Sequence, residues 1–123
     1  MDFTILTDYF DVYLEGFRGT VLSSLLALVG SFVLGALIAV FRIGPVRPLR
    51  WFGTGYVEFI RNIPLLLVVY IFYYGPAALG LPLDGFTAGT IGLAVYTSSF
   101  IAEAIRAGIQ AIPQGQTEAA RSS

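Results

Sequence analysis

The sequence predicts an all-α polytopic membrane protein with three transmembrane helices. Of its 123 residues, 56% are hydrophobic and only 12% are charged, and the mean hydropathy is +0.78. Soluble domains carry about twice that share of charged residues. The charges also fall in short clusters between long apolar runs. A small soluble domain needs a charged surface to stay dissolved, so this distribution is typical of a chain whose solvent is lipid.

The residue types that are missing exclude several classes of function. The chain has no cysteine and no histidine, which removes disulfide frameworks, thiol nucleophiles and the usual zinc sites. It also lacks a nucleophile–base pair, a phosphate-binding loop and a basic aromatic surface suited to nucleic acid. We therefore expect no catalytic residue, no metal, no cofactor and no nucleic-acid partner.

The first transmembrane helix is predicted over residues 19–41, which carry no charge. A helix of this length spans about 34 Å, enough to cross a hydrocarbon core of about 30 Å. Residues 1–15 hold four acidic residues and no basic one, which predicts an amphipathic lead-in at the extracytoplasmic surface. This acidic start is not a cleavable signal, so the first helix should remain. Arg42, Arg47 and Arg50 follow the helix and place the next loop in the cytoplasm by the positive-inside rule.

The second helix is predicted over residues 50–74, with its start left open. Either the span begins near Leu49 and carries Glu58 and Arg61 into the membrane, or it begins near Asn62 with those charges at the inner face. Pro64 is accordingly a kink inside the helix or a residue of its first turn.

The third helix is predicted over residues 87–109. It is rich in glycine, alanine and serine, which suits the inside of a helix bundle because small residues allow close approach. Counting from Gly85, Glu103 lies about 27 Å further along the helix. Glu103 and Arg106 should therefore lie near the cytoplasmic boundary. Pro113 and Gly115 end the helix.

Two pairs of opposite charge stand at helical spacing, Glu58 with Arg61 and Glu103 with Arg106. For Glu103 and Arg106 we favour an ion pair at the inner interface. For Glu58 and Arg61, an interfacial pair and a place on a substrate path both stay open. Further side chains could form hydrogen bonds with a passing polar substrate, and the candidates are Asn62, Tyr96 and Ser99. In membrane proteins, however, tyrosines also mark the membrane–water interface, and hydroxyl groups also form hydrogen bonds between helices.

Three stretches resemble one transporter family. Residues 58–66, EFIRNIPLL, resemble the Arg-(Asn/Gly)-Thr-Pro-Leu signature of permeases for polar amino acids in type I ABC importers, with Ile63 where the family often has threonine. Residues 96–109 contain AEAIRAGI, which is similar to the family's Ala-Glu-x-x-Arg-x-Gly-Ile segment, and residues 114–122 resemble the opening of its Glu-Ala-Ala loop. The order and spacing of the three agree with the family from about Gly19 onward, and this combination is specific.

The resemblance implies a permease subunit in the bacterial inner membrane that imports polar amino acids, with glutamate or glutamine as candidates. It implies four kinds of partner: two ATP-binding-cassette ATPase subunits, a second permease subunit, an extracytoplasmic amino-acid-binding protein and membrane lipid. ATP hydrolysis would belong to the ATPases, so the chain itself is not expected to be an enzyme. Residues 113–123 would form the coupling segment, with its contact residues at Gln116, Glu118, Ala119 and Ala120.

Family permeases continue beyond this loop with a glycine and two further transmembrane helices, so the chain resembles the first half to three-fifths of one. Two other classes stay open: a secondary carrier or channel that needs no ATPase, and a structural or assembly subunit. The coupling segment discriminates between them, because a carrier has no need of a docking loop.

Overall fold

The computed structural model describes residues 4–112, 115 and 119–121. Over residues 4–112 the chain forms five α-helices, which are α1 (Thr4–Asp8), α2 (Phe10–Ile43), α3 (Arg47–Arg61), α4 (Leu65–Ala78) and α5 (Gly85–Gln110). Within the described residues, α2 and α5 are each long and apolar enough to cross a membrane, and α3 with α4 adds a third crossing if the two are one broken span. The predicted all-α membrane fold is thus confirmed.

Helix α2 extends well beyond the uncharged segment that predicted it. It begins at Phe10 rather than near Gly19, so of the predicted lead-in, as far as the structure describes it, residues 4–9 precede the helix. No proline occurs in its first turns, and the single glycine at Gly16 is too weak a breaker to end a helix. With 34 residues α2 is about 51 Å long, and it therefore projects beyond a hydrocarbon core on at least one side.

Helices α2 and α5 run parallel and form the centre of the structure. The hydroxyls of Ser23 and Thr90 share a hydrogen bond of 2.8 Å near one end, and Arg42 contacts Glu103 near the other. Small side chains make up most of the buried positions, which are Ala27, Ser31, Gly35, Ile38 and Ala39 on α2 and Ala88, Gly92, Ser98, Ser99 and Ala102 on α5. Such residues let two helices approach closely where no hydrophobic effect drives their association.

The second predicted helix, 50–74, is two helices rather than one. Helix α3 ends at Arg61, α4 begins at Leu65, and their axes differ by 107°. Pro64 causes the break, because it has no N–H, its ring clashes with the preceding turn, and it disfavours helical geometry at Ile63. Pro64 lies just before α4 in extended geometry, with φ −63° and ψ 144°. The apolar part of the second crossing therefore begins beyond Asn62.

Helix α4 packs back on α5 through Gly92. A methyl group at Gly92 would lie 3.1 Å from the Cα of Val69 and 3.3 Å from its nitrogen, so the two backbones are nearly in contact. Helix α5 begins two residues before the predicted start, because the Asp84 carboxylate accepts a hydrogen bond from the Thr87 N–H at 3.3 Å. The hydrogen bond to Thr87 lowers the pKa of Asp84 from its ordinary value.

Candidate functional site

The break between α3 and α4, residues 62–64, is called the elbow below. Asn62 closes the end of α3: its N–H donates to the carbonyl of Phe59 at 3.3 Å, and its side-chain amide donates to the carbonyl of Glu58. At the start of α4 the Pro64 carbonyl accepts hydrogen bonds from the N–H groups of Leu67 and Val68. The elbow is thus an ordered corner in which two helix ends of opposite dipole meet.

Helix α5 gives the level of the elbow in a membrane that α5 crosses from its first residue. Val69, in the second turn of α4, packs against Gly92, and the Arg61 guanidinium lies 5.4 Å from the centre of the Phe100 ring. These two α5 residues are about 10 and 22 Å from the first residue of α5 along its axis, and a hydrocarbon core is about 30 Å thick. At that depth, non-helical backbone occurs only where protein buries it or where it lines a water-filled cavity.

Phe100 lies between two of the site residues predicted from the sequence, because its ring contacts both Arg61 and Tyr96. The centres of the Tyr96 and Phe100 rings are 5.0 Å apart, and the Arg61 guanidinium lies over the Phe100 ring at cation–π distance. The side chains of Glu58, Arg61 and Asn62 are exposed, and that of Tyr96 is half-buried. This open surface, called the elbow surface below, comprises Arg61 with the Tyr96 and Phe100 rings, and Glu58 and Asn62 lie within one turn of Arg61 along the chain. Sequence reasoning missed Phe100, whose only signal is its helical spacing from Tyr96.

Two features of the expected arrangement differ in the structure. No ion pair joins Glu58 to Arg61 in the part of the chain that is described, because Arg61 turns toward α5 instead. Ser99 is fully buried and its hydroxyl donates to the carbonyl of Tyr96 at 2.6 Å. Ser99 therefore belongs to the packing between helices and does not reach the elbow surface.

A second centre surrounds Glu103. Its Oε1 accepts from Nη2 of Arg106 at 2.5 Å, and its Oε2 accepts from Nε of Arg106 at 3.2 Å and from Nη1 of Arg42. Arg106 also donates to Oε1 of Gln110 at 2.6 Å. The spacing of Glu103 and Arg106 signals their contact, whereas nothing in the local sequence signals Arg42, which lies on another helix.

Helix α3 covers Arg42. Only 10% of the Arg42 side chain is exposed, and a methyl group at Gly53 would lie 2.8 Å from its Cγ. Glycine at position 53 therefore lets α3 pack directly on the arginine. The Arg42–Glu103 pair thus joins α2 to α5 underneath α3.

A hydroxyl pair attaches the middle of α3 to α5. The Tyr56 hydroxyl lies 2.8 Å from Oγ of Ser98, which is fully buried and also donates to the carbonyl of Val95 at 2.6 Å. Val57 packs beside this pair against Ile38 and Ala102. Helix α3 is therefore held against both parallel helices by apolar and polar contacts, which position the elbow.

The predicted coupling segment is described in part. Ala119 and Ala120 are helical and exposed. Gln116 and Glu118 lie outside the described residues, so their role stays a prediction.

Comparison with known proteins decides the family. Residues 31–123 match the family described as binding-protein-dependent transport system inner membrane components. The chain belongs to this family. This inner membrane component is therefore a multi-pass membrane protein, and the resemblance drawn from its three sequence stretches is confirmed.

Several relatives of this inner membrane component are amino-acid permeases. It is 61% identical to the probable glutamine ABC transporter permease protein GlnM of Bacillus subtilis, over all of this chain and 57% of that protein. It is 35% identical to the glutamate transport system permease protein GluC of Corynebacterium efficiens, over 97% of this chain and 58% of that protein. The chain thus spans little more than half the length of these relatives.

A solved structure has the same fold. It is the crystal structure of an amino acid ABC transporter with histidines, and it matches with a TM-score of 0.90 and 36% identity over 99% of this chain and 57% of that one. The fold described above is therefore shared, over nearly the whole chain, with a known transporter.

Proposed function

We propose that the chain is part of a permease subunit that carries polar amino acids, glutamine or glutamate foremost, into the cell through an ATP-binding-cassette importer. The observation that carries the proposal is the elbow surface, which places charged and amide side chains at membrane depth. The similarity to glutamine and glutamate permeases supports the substrate class.

The chemistry of the elbow surface suits a free amino acid. Ionisable groups inside a bilayer are costly and usually face a pathway or a partner, and Glu58 and Arg61 are not paired with each other. The planar guanidinium of Arg61 can bind a carboxylate with two hydrogen bonds. Glu58 can accept from the ammonium group of the same molecule. Tyr96 and Phe100 then provide an apolar wall along which the rest of the substrate passes.

Replacing Arg61 is the test of this path. In the full-length permease, assembled with its ATPase and binding protein in vesicles, Arg61→Gln should reduce ATP-dependent glutamine uptake at least about tenfold, because a hydrogen bond to a charged group contributes about 1.5–3 kcal/mol. Arg18→Gln removes an exposed arginine from the far end of α2 and should leave uptake unchanged. Equal uptake by the two variants would remove Arg61 from the path.

Coupling to ATP hydrolysis would use the other end of the molecule. In the proposed complex, two ATPase subunits would contact residues 113–123 of paired permeases, while a binding protein would deliver the amino acid outside. Helix α5 leads directly into this segment, and Glu103 joins α5 to α2 and so to the underside of α3. From α5 onward, a movement of the ATPases would thus reach the elbow through packed helices.

The coupling contact is tested with Glu118→Lys in the full-length protein. Reversing this charge should reduce the ATPase recovered with the permease about tenfold, because a close charge pair becomes a repulsion. Glu15→Lys makes the same change at an exposed site on the outer part of α2 and should leave recovery unchanged. Full ATPase recovery with the Glu118 variant would contradict the coupling role, and uptake that persists without any ATPase would favour a secondary carrier.

A further inference from the structure

The corner where α2 passes into α3 carries positive charge that no described residue neutralises. Arg47 and Arg50 lie in the first turn of α3 and form no ion pair with the residues that the structure describes. Glu103, the acidic side chain that pairs with arginines at this end of the molecule, is already occupied by Arg42 and Arg106. The two arginines are therefore available to an external anion.

The positive-inside rule places this corner at the inner boundary of the membrane. Arg42 ends the uncharged run of α2, and α3 packs on Arg42 through Gly53, which places the first half of α3 at the same level. Trp51, next to Arg50, is 72% exposed. Tryptophan at such a position is typical of the headgroup region.

An apolar groove adjoins the two arginines. It has a volume of about 160 Å³ and is lined by Val40, Phe41, Gly44, Pro45, Val46 and Leu49. Two of its lining residues, Val46 and Leu49, immediately precede Arg47 and Arg50 in the chain. Cationic and apolar surfaces thus meet along one edge of α3.

We infer that this corner binds an anionic phospholipid of the inner leaflet, with its phosphate at Arg47 and Arg50 and part of an acyl chain in the groove. A phospholipid is a single molecule with the two chemistries that the corner combines, and it is present at this depth. A headgroup with a net negative charge can neutralise the positive charge of the two arginines. A zwitterionic headgroup brings a positive charge of its own and leaves that of the arginines uncompensated. The inference concerns the lipid contact alone and does not depend on which substrate is transported.

The test uses Trp51 as a reporter in the full-length permease, reconstituted in phosphatidylcholine vesicles. Part of the lipid is replaced by brominated phosphatidylglycerol or by brominated phosphatidylcholine, and quenching of the Trp51 fluorescence measures which lipid occupies the corner. A Trp51→Phe variant supplies the background from any other tryptophan. Phosphatidylglycerol should be preferred about 25-fold at low salt, since each of the two arginines near an anionic lipid contributes about fivefold, and added salt should weaken the preference.

Matched variants identify the site. Arg47→Gln with Arg50→Gln should abolish the preference, while quenching by brominated phosphatidylcholine persists and shows that the protein is folded and inserted. Arg18→Gln should retain the full preference. The inference is overturned if the native protein is quenched equally by both lipids, if the double variant keeps its preference, or if neither lipid quenches Trp51 because another segment of protein covers the corner.

Discussion

Glu103→Gln should destabilise the full-length protein by about 2–3 kcal/mol. Glu103 is the common partner of Arg42 and Arg106, and its neutral replacement leaves the guanidinium of Arg42 nine-tenths buried without a counter-charge. Removing one member of a buried ion pair costs about 3–5 kcal/mol, and the lower figure here reflects the 24% exposure of the Glu103 side chain. The measurement is the free energy of unfolding in mixed detergent micelles.

A double-mutant cycle separates this pair from general damage. Arg42→Gln combined with Glu103→Gln should cost clearly less than the sum of the two single substitutions, because no buried charge is then left unpaired. Glu58→Gln is the matched control: Glu58 is exposed and forms no ion pair with the described residues, so its loss should change the free energy of unfolding by less than about 0.5 kcal/mol. Strict additivity of the two substitutions would show that Arg42 and Glu103 do not interact.

Gly35→Leu should be the most damaging substitution within the apolar core, with an expected loss of about 3 kcal/mol. Its first added carbon would lie 2.8 Å from Cγ2 of Ile101 and 3.0 Å from the carbonyl oxygen of Ser98. The helix backbones would have to separate, and overpacking of a well-packed core typically costs about 1–3 kcal/mol. The same unfolding measurement records the loss, and a lower melting temperature of the purified protein should accompany it.

Gly16→Leu provides the comparison on the same helix. A carbon added at Gly16 meets no atom within 4 Å, so this variant should be neutral or slightly more stable, since leucine favours helix over glycine by nearly 1 kcal/mol. Shortening the opposing side chain, as in Gly35→Leu with Ile101→Ala, should restore part of the lost stability. Equal behaviour of the Gly16 and Gly35 variants would mean that α2 and α5 are not in close contact.

Some features of the candidate site were accessible from the sequence because they depend on neighbours within one helix. Glu103 and Arg106 were paired by their spacing, and the small residues of α5 indicated close packing. Pro64 marked a discontinuity, but the apolar residues on both sides of it fit one long helix as well as two. Hydrophobicity alone could not discriminate, because it records which residues are apolar and not the angle between two successive helices.

Arg42 illustrates what local spacing leaves out. As part of a group of three arginines it predicted the orientation of the chain, through an electrostatic rule that needs no partner. Its contact with Glu103 joins residues 61 positions apart, and it exists because α2 and α5 run parallel and pack together as far as Arg42. Phe100 was missed for the same reason, since its contact with Arg61 depends on where α3 ends.

By itself the sequence determined the membrane environment, the helical class and the signatures of the transporter family, and its arginines predicted an orientation. Each of these follows from composition or from the order of residues along one chain. The tertiary structure alone decided that the chain turns a corner of 107° between α3 and α4, which residues share that corner, and which arginine shares Glu103 with Arg106. Those contacts depend on how whole helices are placed against one another, and their placement is the sum of many small packing contacts that no local pattern records.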